Sequence, residues 1–352
     1  MSSPRRIRLL VPLLALAVVA AACGSSGSKS GSGKKASNEK VTLRLGYFGN
    51  VTHAPAIVGL QDGIFAKDLG SNVTLKTSVF AAGTAAGEAI FAKSIDATFV
   101  GPNPAINAYA KSSGSAIRIV AGTASGGAFF VVNKDIKTAA DLKGKKVGSP
   151  SLGNTQDVAL RYWLKQKGLS TDVNGGGDVH VVPGPDNGTV VTEFQTGSIV
   201  GAWLPEPYAS KMIAAGGHVL VDEASLWPGG KYVTTVLMVR TAFLNAHPDV
   251  VQNLIKGLSD SIDKIASDPT AAATTVSDGI DKATGKPIDV ALVTKSFKSI
   301  TFTLDPLAST LKTDVDHAVA LGVLTATPIP NIFDLTQLNK VLSGEGKPAV
   351  SS

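Results

Sequence analysis

The stretch LRLGYFGNVTHAPAIVGLQDGIFAKDLG, residues 43–70, decides the fold. Leu43 to Phe48 suit a short strand; Gly49 and Asn50 break it, and an apolar segment follows in which Thr52 can cap and Pro55 lies in the first turn of a helix reaching about Asp62. Strand, polar turn and helix make the repeating unit of an α/β sheet. Further strands are expected at Val73 to Val79, Ala97 to Val100, Ile117 to Gly122 and Phe129 to Val132. Past the turn-rich Lys143 to Lys146 come Lys146 to Ser149, Val179 to Val182, Val200 to Leu204, His218 to Val221 and Thr234 to Arg240. Beyond Arg240 the pattern is of helices alone, at Pro248 to Ser267, Asp289 to Ser296, Pro306 to Leu321 and Ile332 to Leu342.

This order predicts two α/β lobes joined by two crossings, the chain leaving the first near Val132 and returning near Thr234. Residues 41–130 and 235–352 then make lobe 1, with the C-terminal helices packed on it, and residues 131–234 make lobe 2.

In open α/β sheets a ligand sits beyond the carboxyl ends of the strands, where helix starts offer free N–H groups and a positive dipole end. Four turns have that chemistry: GNVTHAPA after the first strand, AAGTAAGEAIFAK after the second, GPNPAINAYAK after the third, and SPSLGNTQDVALRYWLKQKG in the second lobe. Gly83 permits a close backbone approach, Asn103 is a natural cap ahead of Pro104, and Asn154, Thr155 and Gln156 open a helix ending near Gly168. Capping residues are common at any helix start, so each turn alone says little; four together predict a polar cleft floor.

The chain has 352 residues, enough for two domains, and is 44% apolar and 17% charged, which excludes a disordered or coiled-coil protein. The formal charge of +6 is concentrated at the start: residues 1–40 hold seven Lys and Arg and one acid, leaving 26 of each sign on residues 41–352. A nucleic-acid surface needs clustered basic residues, and none follows the leader. The leader has a basic start, SPRRIR, then an apolar run from Leu9 to Ala22, too short to span a bilayer and suited to an export signal. Cys23, the sole cysteine, follows it directly, which excludes an internal disulfide and a multi-cysteine metal site. Its setting resembles the lipoprotein processing signal, which implies acylation of Cys23. Residues 24–40 read as a flexible Gly/Ser/Lys tether.

From residue 41 to 345 the chain resembles the solute-binding proteins of ABC importers, in the group serving aliphatic sulfonates, taurine and nitrate. The carriers are the opening stretch, FAAGTAAGEAIFAKSIDATFVGPNPAINAYAKSSG (residues 80–114) with Phe80, Gly83, Ala89, Ile95 and Asp96 in place, DLKGKKVGSP (141–150) and AWLPEPYAS (202–210). The resemblance implies a two-lobed periplasmic-binding-protein fold of type II, with two hinge crossings. It implies a protein that closes on a small anion or zwitterion and delivers it to a permease with its ATPase; with the leader and Cys23 this places it outside the cytoplasm on a lipid anchor, a monomer by default, with no cofactor or metal expected. Mapped onto matching positions, the ligand shell comprises Asn50, Thr52, His53, Gly83, Asn103, Ser125, Gly126, Asn154, Thr155, Gln156, Trp203 and Glu206. Neutral donors and dipole ends suit a sulfonate, and these loops carry no Lys or Arg.

Other readings stand beside these. Trp203 and Tyr208 suit packing as well as a ligand platform. Glu206 would repel an oxyanion unless it pairs with an amine or a cation or makes a contact between lobes. Asp157 and Glu88 suit helix first turns. No GxSxG, HExxH, phosphate-loop or GxGxxG signature is present. An enzyme resembling pyrimidine-precursor synthases, or a surface receptor without transport, are the alternative functions on the same fold.

Overall fold

The computed structural model describes residues 40–325 and 328–352, so the leader, Cys23 and the tether up to residue 39 lie outside the described residues. The described strands are β1 (Val41–Phe48), β2 (Val73–Phe80), β3 (Ala97–Val100), β4 (Ile117–Gly126), β5 (Ala128–Val132), β6 (Lys146–Ser149), β7 (His180–Pro183), β8 (Gly201–Pro205), β9 (His218–Asp222), β10 (Val233–Arg240) and β11 (Ile300–Phe302). They form two sheets, ordered β11-β4-β10-β3-β1-β2 and β7-β6-β8-β5-β9.

Both sheets follow one plan. In the first, β1 pairs in parallel with β2 and β3; in the second, β6 pairs in parallel with β7 and β8. Each then receives an antiparallel strand delivered by a crossing. β5 leaves β4 and inserts between β8 and β9, while β10 leaves β9 and inserts between β3 and β4. The helices follow the strands, as the alternating pattern requires, and the two-lobed α/β architecture is the expected one.

The sheets divide at Gly127, a few residues ahead of the expected 130/131 boundary, because Ala128 is already paired with Pro205. The return falls at Val233, which pairs with Ser125. The two crossings are fastened to each other. Gly126 donates its N–H to the Tyr232 carbonyl (3.3 Å), Thr234 Oγ1 donates to the Gly126 carbonyl (2.6 Å), and Ala128 donates its N–H to the Tyr232 hydroxyl (3.2 Å). Gly126 has φ of +82°, and a Cβ there would lie 2.6 Å from the Ser299 carbonyl oxygen, so only glycine fits.

Lobe 1 is built on two apolar clusters, one on each side of its sheet. The helix Pro248–Ser267 contributes Val250, Val251, Leu254, Ile255, Leu258 and Ile265 to the first, the spacing of a single helical face. Two elements depart from the sequence reading. Pro269–Thr284 is a helix, hidden in sequence by its threonines and Gly279; a Cβ at Gly279 would meet Ile57 at 2.3 Å, so the glycine lets this helix press on Ala54–Gln61. The C-terminal region is not of helices alone: β11 pairs with the end of β4, a three-residue partner that only tertiary contact defines. The helix Thr336–Gly344 packs on lobe 1 through Leu338, Val341 and Leu342, as expected. Ala308–Ala320 packs there through Leu311 and Val315 but also touches lobe 2, where Tyr162 stacks on His317 at 3.6 Å and Lys165 donates to the Ala320 carbonyl.

Candidate functional site

The expected turns do meet. A narrow cavity of about 20 Å³ lies on the seam between the lobes, with Asn50, Thr52 and His53 from the first turn, Gly101 from the third, and Asn154, Thr155 and Gln156 from the second lobe. Ala81, from the second turn, completes this part of the wall. Every lining side chain is uncharged. The lobes also touch around it: Asn107 Nδ2 donates to the Gly153 carbonyl (3.2 Å), and the Thr84 and Ser151 hydroxyls are 3.4 Å apart.

The chemistry follows from how each residue is held. Thr52 does not cap; it lies in a 3₁₀ turn, Val51–His53, that precedes the helix Ala54–Gln61, and neither start has a side-chain cap. The Asn50 side chain is therefore left for the cavity. His53 is buried, stacked on Phe48, and its Nδ1 accepts the Phe48 backbone N–H (3.3 Å). Burial drives its pKa down to about 3. With Nδ1 occupied as an acceptor, the neutral ring carries its proton on Nε2, a fixed donor. Asn154 caps its helix through a bond from the Thr155 N–H (3.0 Å).

Sequence reasoning missed Asn187, Thr234, Thr235 and Phe48, which also line the cavity. Asn187 opens the helix Asn187–Gln195, capped by Asp186 through the Thr189 N–H (2.9 Å); the signal was Asp186-Asn187-Gly188-Thr189 directly after a strand, the same grammar as the other turns. Thr234 and Thr235 belong to the inserted strand β10, whose neighbours no local pattern reveals. Three buried polar atoms on this lining have no hydrogen-bond partner among the described residues: Thr155 Oγ1, Asn187 Oδ1 and Thr235 Oγ1. Buried polar groups are rarely left so, and each costs about 1–3 kcal/mol until something pairs with it.

The remaining expected residues have other positions. Gly83 is where three helix starts close up: a Cβ there would lie 2.3 Å from Pro104 and 3.3 Å from Asn154 Oδ1. Asn103 is not the cap of its helix, which starts at Pro102 after Gly101; it is buried in the first turn, both side-chain polar atoms unpaired, and off the cavity lining. Ser125 and Gly126 belong to the crossing rather than the cavity wall. Trp203 is no ligand platform, being fully buried in lobe 2, stacked on Phe130 (5.6 Å) with Nε1 bonded to Glu223 (2.7 Å). Glu206 is off the cavity lining and joins the lobes: its carboxylate accepts the Ser210 N–H (3.1 Å) and hydroxyl (2.8 Å) within lobe 2 and bonds Ser296 of lobe 1, and burial pushes its pKa up. Its hydrogen bonds engage the carboxylate away from the cavity lining, so it does not face an anion held there. Asp157 is a staple for its own turn, accepting from Ser149 Oγ (2.6 Å), the Gly153 N–H (2.9 Å) and Arg161 (3.0 Å).

A second, larger cavity of about 580 Å³ shares Asn50, Ala81 and Asn187 with the seam and widens toward Tyr208, Thr284 and Lys286. Tyr208 is buried enough that its pKa rises to about 12, and its hydroxyl lies 3.5 Å from the Gly49 carbonyl. Among the described residues no three His, Cys, Asp or Glu side chains are gathered as a metal ion requires, and no helix is long and apolar enough to cross a membrane.

Known proteins resemble this chain in sequence and in fold. A Brucella abortus protein provisionally named a binding protein is 28% identical over 236 residues, 66% of this chain and 69% of that one. The taurine-binding periplasmic protein of Escherichia coli is 26% identical over 218 residues, 61% of this chain and 64% of that one. The crystal structure of the periplasmic nitrate-binding protein of Synechocystis superposes with a TM-score of 0.71 at 14% identity, covering 87% of this chain and 89% of that one, a likeness of fold. Residues 36–278, well over half of the sequence, match a single family description, and the chain belongs to the NMT1-like family.

Proposed function

We propose that this chain is the extracytoplasmic receptor of an ABC importer, which captures a small sulfonate- or nitrate-type anion or zwitterion between its lobes and hands it to a permease and its ATPase. The observation that carries this reading is the seam itself: helix starts from both lobes converge on a cavity without a charged side chain, where the Thr155 and Thr235 hydroxyls are buried and unpaired among the described residues. Dipole ends and neutral donors favour an oxyanion without locking it in place, which suits capture and release. The relatives named for taurine and nitrate support the same class of solute.

Binding without turnover is the better reading of His53. Its Nδ1 is occupied and its Nε2 carries the proton, so no lone pair is left to act as a general base. Closure is the mechanism: a ligand that contacts Asn50 and Thr52 on one lobe and Thr155 and Asn187 on the other stabilises the closed state in proportion to its contacts with both. Cys23 supplies the lipid anchor on the outer face of the cell membrane, and the protein works as a monomer.

Calorimetry of the full chain in detergent, titrated with propane-1-sulfonate, taurine and nitrate, tests this. The reading requires saturable binding of at least one of them, with the ligand recovered unchanged; no heat from any, or conversion of the ligand, refutes it.

A further inference from the structure

The wide cavity beside the seam carries charge that the seam lacks. Lys211, on the second lobe's helix Tyr208–Ala214, and Lys286, in lobe 1 just after the helix Pro269–Thr284, both line it. Lys211 is partly buried, its ammonium 5.4 Å from the Tyr208 ring centroid. Lys286 reaches across to lobe 2, its Nζ 3.7 Å from where a Cβ on Gly188 would stand. Neither is in an ion pair among the described residues. The one carboxylate on this lining, Asp186, is engaged as a helix cap by the Thr189 N–H and hydroxyl. Two cations from opposite lobes and one carboxylate thus face one cavity, which leaves it net positive by one; burial and the nearby Lys286 charge both push the Lys211 pKa down.

We infer that the solute is an organic dianion: its oxyanion head lies where the wide cavity meets the neutral seam, beside Asn50 and Asn187, with room in the seam itself for about one water, and a second acidic group lies farther into the wide cavity between Lys211 and Lys286. An acidic group there attracts a lysine of each lobe, so closure is coupled to the second charge. A terminal amine in the same place meets the two lysines and is disfavoured. The cavity of about 580 Å³ leaves room for a linker of several carbons between the two groups. This inference rests on the oxyanion reading of the seam.

Three probes of one length separate the possibilities: 3-sulfopropanoate, propane-1-sulfonate and 3-aminopropane-1-sulfonate, titrated calorimetrically into the full chain in detergent at fixed ionic strength. The dianion is expected to bind about 10-fold more tightly than propane-1-sulfonate, and the aminosulfonate more weakly than either. Lys286→Met, at an exposed position, and the double change with Lys211→Met should bring the dianion-to-monoanion ratio stepwise toward one. Propane-1-sulfonate bound with no gain for the dianion, or with the ratio untouched by both variants, overturns the second subsite and leaves the seam reading standing. Binding of none of the three overturns this inference, and with nitrate and taurine silent as well it overturns the seam reading too.

Discussion

The imidazole of His53 lies nearly parallel to the ring of Phe48, 4.6 Å between centroids, and takes that residue's backbone N–H on Nδ1. The strand's last residue thus holds the ring neutral at the seam. Because its pKa is about 3, His53 cannot charge between pH 5 and 8, and its contribution to sulfonate affinity should be flat across that range by calorimetry. An affinity that climbs as pH falls through 6.5 would show a protonated ring instead. Stability carries the opposite mark: the unfolded chain binds a proton near pH 6.5 that the native state refuses, so His53's contribution is full above about 6.5 and is lost as pH falls toward 3. Relative to wild type, His53→Gln should recover roughly 3 kcal/mol of that loss between pH 6.5 and 4 in urea melts.

Glu223 slopes the other way. It is fully buried beneath Trp203, and burial raises its pKa to about 7. The native state therefore holds a proton that the unfolded chain releases near pH 4.5, so this group's contribution is present below about 4.5 and disappears as pH rises through 7. Asp314, also buried and raised by burial and by Glu223, acts in the same direction. Glu223→Gln should flatten the wild-type decline between pH 4.5 and 7 by a few kcal/mol; an unaltered difference curve would place the proton elsewhere.

The unpaired hydroxyl of Thr155 gives a test in which affinity and stability part company. Thr155→Val keeps the shape and removes a buried group that nothing satisfies, so the empty protein should gain about 1 kcal/mol while affinity for the bound anion falls about 10-fold. Loss of both together would mean that the hydroxyl serves the fold. Asn154→Leu with Gln156→Leu should also weaken binding, at a cost of about 1 kcal/mol for the lost cap.

Asp96 is a structural residue. Its carboxylate accepts from Arg44 Nε and Nη2 (both 2.7 Å) and from Arg240 Nη2 (2.6 Å), joining the segment before β3 to β1 and β10. Asp96→Ala should cost about 3 kcal/mol in chemical denaturation, with unchanged affinity in the folded fraction. A change in affinity alone would move Asp96 into the binding machinery.

Anchoring by Cys23 predicts that Cys23→Ser releases the protein from the membrane fraction or leaves it unprocessed. Fractionation that finds a processed variant still membrane-bound refutes the anchor.

The strands and four of the helix starts were legible in sequence because their signals are local: β-branched runs, then Gly, Asn or Pro at a turn. Helix Pro248–Ser267 was read to the residue from Pro248 and its apolar face. What escaped depends on partners far away in the chain. β11 exists only against β4, Thr234 and Thr235 reach the seam only because β10 is inserted between β3 and β4, and Trp203 is sealed by Phe130 and Glu223. Glu206 looked hostile to an anion because sequence cannot show that its carboxylate is turned onto Ser210.

The bonds that tie Gly126 to Tyr232 and Thr234 make the two connecting straps act as one leaf spring. A paired ribbon of that kind bends readily across its width and resists both sliding and twisting. Rotation about these straps separates the Thr84 and Ser151 hydroxyls of opposite lobes together with Thr155 and the opposing Gly101. A partner that reads the separation of Thr84 from Ser151 thereby reads the separation of Gly101 from Thr155 as well.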